Sequence, residues 1–97
     1  MTVTPSKQYE KFAAEFQYEW MKILNNALKE RKIKKKDREE ICGTFSFGMS
    51  MLLDQGKIKN TTPIVGFKKD DKLLINNGSF DYHDYTYGTV DELFDGK

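Results

Sequence analysis

One cysteine, one histidine, one tryptophan and two prolines are all that 97 residues contain of these types, and no apolar run reaches the length of a membrane span. The lone Cys42 cannot close an intramolecular disulfide, so burial rather than a covalent staple must hold the fold. With a single histidine and no cysteine pair, the spacings that mark zinc sites are missing, and no metal or other cofactor is expected. The acidic loop of an EF-hand is missing too, and no nucleotide-binding or catalytic signature stands out, so no enzymatic activity is expected. No charged-then-apolar leader opens the chain. Together with the unpaired cysteine, this leads us to expect a reducing, cytoplasmic setting and no membrane partner.

What is present argues for a packed core. Hydrophobic residues make up 38%, aromatics 13% and charged residues 32%, too many large apolar groups for a disordered chain. A second core would leave each half too small to bury enough surface, so residues 1–97 are expected to form a single domain. The net charge of +1 hides an asymmetry: Lys29 to Arg38 holds seven basic residues against two acids, while Leu73 to the end holds five acids against one lysine. Such polarity either steers a charged partner or lets the tail sit beside the basic corner of its own fold.

Apolar residues at Tyr9, Phe12, Ala13, Phe16, Trp20, Ile23, Leu24, Ala27 and Leu28 step by three and four, which predicts an amphipathic helix over about 6–31 with Ser6 as its cap. A second helix is predicted over about 38–55, opened by an Asp37–Glu40 capping box and closed by a left-handed Gly56. Ile41, Phe45, Met49, Leu52 and Leu53 form its stripe, but Cys42, Phe47 and Met51 lie off it, so this helix is expected to be the most buried element. Gly43, Ser46 and Ser50 share one face and suit a tight helix contact.

After Gly56 the code changes to short β-type runs. Strands are predicted over about 62–68, 72–76 and 79–83, joined by turns at Lys69–Asp71 and Asn76–Gly78. Thr89 and Glu92 resemble a capping box for a short helix over about 89–94. The expected class is α+β: two N-terminal helices packed on a C-terminal antiparallel three-stranded meander, with a short terminal helical turn.

The densest functional candidate is Phe80–Gly88, which holds the only histidine and three of the five tyrosines. As a hairpin, it would present Tyr82, His83, Asp84, Tyr85 and Tyr87 to a protein partner or to a second copy of the chain, the rings supplying contact area. The alternative expectation is nucleic-acid association through the basic interhelical segment Lys32, Lys34, Lys35, Lys36 and Arg38, whose charges would neutralise phosphates. A third reading is a small enzyme or metal site in which Asp81 or Asp84 orients His83. Cys42, flanked by Ile41 and Phe45, reads as an inert buried thiol.

Overall fold

The computed structural model describes residues 1–96. Among them are three helices and a three-stranded mixed sheet, in the order β1 (Thr2–Ser6), α1 (Tyr9–Glu30), α2 (Lys35–Gln55), β2 (Phe67–Lys69), β3 (Lys72–Asn76) and α3 (Tyr82–Asp95). The class is α+β, with two long helices ahead of the β2–β3 hairpin, as the sequence led us to expect. No helix of the described residues is long and apolar enough to cross a membrane.

The third strand and the C-terminal segment differ from expectation. Residues 79–83 are not a strand; the third strand is the N-terminal β1, which pairs parallel with β3 while β2 pairs antiparallel with it. The sheet order is therefore β1-β3-β2, and the meander gives way to a mixed sheet. Pro5 is tolerated in β1 because the strand lies at the sheet edge, where a missing N–H leaves no ladder bond unmade. Ser6 does not start a helix; its Oγ accepts the Gln8 N–H at 3.0 Å, turning the chain so that α1 begins at Tyr9.

The predicted strand 79–83 and short helix 89–94 are replaced by the single helix α3. Thr89 caps nothing: it lies inside α3, bonding to Gln17 Oε1 and Tyr85 O. Helix α2 starts at Lys35 with no side-chain cap, so the Asp37–Glu40 box does not form, although Asp37 sits in the first turn, where a carboxylate favours the dipole. Gly56 is extended (φ −77°, ψ 162°) rather than left-handed. Glycine is needed there for space, since a Cβ would stand 2.6 Å from Leu52 Cδ1 and 2.7 Å from Leu52 O.

Helices α1 and α2 run antiparallel, as the pairs Gln17–Ser50, Trp20–Ser46, Met21–Cys42 and Asn25–Arg38 show. Helix α3 packs across both, touching Gln17 through Thr89 and lying against Gly43 through Tyr87. The face of α1 that these neighbours bury is Tyr9, Ala13, Gln17, Met21 and Asn25, a four-residue repeat. On α2 the buried face is Cys42, Gly43, Ser46 and Ser50, the small-residue stripe expected to make a tight contact. A Cβ at Gly43 would already stand 3.2 Å from Tyr87 Cε1.

That closeness overturns the expectation that α2 is the most buried element. Two helices approaching its small side leave no room there for bulky groups. Ile41, Phe45 and Phe47 therefore remain 39%, 49% and 37% exposed, while Cys42, Ser46 and Ser50 are fully enclosed. The aromatic core forms instead where the sheet meets the ends of α1 and α3, from Tyr9, Ala13, Phe80 and Tyr82, with Trp20, Leu53 and Phe67 packed against it.

Candidate functional site

The start of α3 is set by side chains on both sides of it. Asn76 Oδ1 accepts the Gly78 N–H at 2.9 Å, and its Nδ2 donates to the Phe80 carbonyl at 2.7 Å, around a Gly78 held at φ +95°. The predicted turn is thus present, and it returns Phe80 and Tyr82 to the core. Asp81 occupies the N-cap position, yet its side chain makes no cap bond. Asp54 of α2 does that work from 28 residues upstream: its Oδ1 accepts the Tyr82 N–H and its Oδ2 the His83 N–H, each at 2.8 Å. A carboxylate at this end also opposes the positive pole of α3.

Asp54 Oδ2 lies 2.5 Å from His83 Nδ1, and the other ring nitrogen lies 3.3 Å from Asp84 Oδ1. The hydrogen bond to Asp54 raises the imidazole pKa above its ordinary value, and the charges of Asp84, Asp54 and Asp81 add to this against a smaller lowering by desolvation. In the core the Tyr9 hydroxyl donates to the Val65 carbonyl at 2.8 Å. Its one proton being spent, the 2.8 Å contact with Tyr82 must be a bond that Tyr82 donates. Burial raises the pKa of both phenols. A cavity of about 180 Å³ borders this pair, lined by Leu53, Ile64, Ile75, Phe80, Asp54 and Asp81 among others.

No protein-family model, curated protein or solved structure matches the chain.

The five residues expected to share a hairpin are divided by the helix. Tyr82 is 2% exposed and belongs to the core, where it presents no contact area. Tyr85 leans on Phe80 with ring centres 4.6 Å apart, and its hydroxyl donates to the Glu10 carboxylate. Tyr87 is 57% exposed and stacks on Phe47, which in turn meets the His83 ring edge-on. Asp84 is exposed beside His83. Tyr87, His83 and Asp84 thus share a surface with Phe47, while Tyr82 and Tyr85 do not join them.

Of the basic segment, Lys32, Lys34, Lys35 and Lys36 are exposed around the α1–α2 turn. Arg38 is committed to closing that turn, donating to Asn25 Oδ1 at 2.8 Å and to the Ile33 carbonyl at 2.6 Å. Donor atoms of Glu39, Asp91 and Asp95 lie within 4.8 Å of one another, so the acidic end of α3 sits beside the start of α2. Asp54, Asp81 and His83 form a second set at the same spacing, with the Asp54 oxygens already engaged by the α3 cap.

The surface that the sequence reading did not single out is the outer side of α2. Ile33, Ile41, Thr44 and Phe45 line an open groove of about 540 Å³ bordered by Asp37 and Glu40. A signal was available: from Ile41 to Leu53 no residue is charged, and the small and the bulky apolar stripes lie on opposite sides of one helix. Only one stripe can face in.

The Asp54 latch makes a prediction. Asp54→Ala should cost about 1–2 kcal/mol, the usual worth of an N-cap, measured by chemical denaturation. Because the His83 pKa is raised on folding, its stabilising share is fully present below the unfolded value of about 6.5 and is lost as pH rises through the folded value. Asp54→Ala should flatten that decline, and the His83 titration followed by NMR should move toward the ordinary imidazole value.

Proposed function

We propose that the chain is a protein-interaction module, binding another protein or a second copy of itself, and that its contact face is the outer side of α2. The observation that carries this reading is the orientation of α2: Phe45 and Ile41 stand exposed around a groove, whereas serine, glycine and cysteine fill the opposite, buried side. Contiguous exposed apolar surface of this kind is characteristic of interfaces, and phenylalanine is enriched at them. The Phe47–Tyr87 stack lies round α2 from this groove, on the flank that meets α3.

The test compares wild type with Phe45→Asp in affinity capture from native extract and in sedimentation. Phe45 is half exposed, so the variant should keep its circular dichroism spectrum. Losing a buried phenylalanine at an interface removes about 2 kcal/mol, which weakens association about thirtyfold. Undiminished capture of the same proteins and unchanged self-association by a folded Phe45→Asp chain would refute the assignment.

A further inference from the structure

We infer that the occupant of this face is a second copy of the chain, in a two-fold dimer centred on Ile41; this rests on the interaction reading above and names the partner. The groove supplies the apolar centre: Ile33, Ile41 and Phe45, with Thr44 beside them. Its border supplies the acids Asp37 and Glu40. Lys32 and Lys34 flank Ile33 in the sequence, and all four charged residues are exposed. Among the described residues none of the four enters an intramolecular ion pair.

Two-fold symmetry makes a demand that fits this patch. Every contact occurs twice, so the patch must complement itself. A rim of one sign would repel its symmetry mate. Here two acids border the apolar centre and two exposed lysines adjoin its Ile33 in the chain, four charges that sum to zero, so Asp37 and Glu40 of one copy can meet Lys32 and Lys34 of the other while the two Ile41–Phe45 ridges pack together. Gly48, one turn beyond Thr44, has nothing within 4 Å of where a Cβ would stand, so a facing helix can approach α2 closely and extend the contact along it. Lys32 and Lys34 of the basic segment thereby acquire a role that needs no phosphate.

The experiment is a charge exchange on the full chain, read by sedimentation equilibrium. Wild type should be dimeric. Asp37→Lys with Glu40→Lys makes the rim wholly basic, and Lys32→Glu with Lys34→Glu makes it wholly acidic. Each double variant should associate at least about tenfold more weakly than wild type, and an equimolar mixture should recover the dimer. Phe45→Asp should be monomeric, with an unchanged circular dichroism spectrum. A monomeric wild type, or double variants that dimerise as well alone as when mixed, would overturn the proposal. If the wild type is monomeric yet captures another protein that Phe45→Asp loses, the dimer fails and the interaction face survives. If Phe45→Asp dimerises and captures as well as wild type, both fail.

Discussion

Tyr82→Ala should remove a large part of the chain's stability, a loss of about 3–5 kcal/mol by analogy with other buried aromatic truncations. A domain of this size has about 5–15 kcal/mol in total, so the variant should melt at least about 10 °C below wild type. Three rings close on Tyr82: Trp20 stacks at 6.0 Å, Phe80 meets it edge-on at 4.8 Å and Tyr9 edge-on at 6.4 Å. Truncation leaves a void bordered by residues of α1 and by the turn before α3, elements that cannot collapse together without breaking the Asp54 cap. Tyr82→Phe separates ring from hydroxyl. The Tyr9 hydroxyl still donates to Val65, so only an acceptor loses its partner, and the cost should be about 1 kcal/mol. Urea denaturation of both variants checks the pair of values. A Tyr82→Ala chain as stable as wild type would show that the ring lies outside the core.

The same residue shows what local sequence pattern does and does not reveal. Helix α1 is legible because apolar residues step by three and four from Tyr9 to Leu28, but the face its neighbours cover is Tyr9, Ala13, Gln17, Met21 and Asn25, which leaves Ile23 of the expected stripe 69% exposed. The β2–β3 turn is legible because Asp70 tolerates its φ of +54°. Helix α3 is hidden for two physical reasons. Thr86 and Thr89 occupy buried positions that a hydrophobic stripe would normally fill, so Phe80 and Tyr82 read as strand alternation. Its cap comes from Asp54, far away in the chain. Strand β1 is hidden because its partner β3 lies some seventy residues later, and no short-range signal announces such a pairing. The candidate site inherits these errors: a period of two put Tyr82 on a surface, and a period of 3.6 puts it inside. The orientation of α2 was open in the sequence because both of its stripes can be buried, and only the arrival of α1 and α3 on the small one decides.

Gln17→Ala should be nearly as damaging, costing about 2–4 kcal/mol, because one amide joins all three helices. Gln17 is fully buried on α1. Its Nε2 donates to Ser50 Oγ on α2 at 2.9 Å and to the Tyr82 carbonyl on α3 at 3.0 Å, and its Oε1 accepts from Thr89 at 2.8 Å. The carbonyl can only accept, which fixes the amide nitrogen toward it. Removing the side chain leaves both a void and unpaired polar groups, two costs that add. Gln17→Met restores most of the volume but none of the bonds, so it should recover part of the loss and no more. Gln17→Glu supplies the sharper test. A carboxylate there faces the Tyr82 carbonyl in a dry site, so burial should raise its pKa well above the unfolded value of about 4.3. The folded state then holds the proton more tightly than the unfolded state, and stability should fall as pH rises between those two values. A Gln17→Glu chain should therefore be most stable in mild acid, opposite to the usual behaviour of a salt-bridged carboxylate. Denaturation midpoints with the same pH dependence as wild type in that variant would mean that the position is wet and that Gln17 does not join the three helices through a dry site.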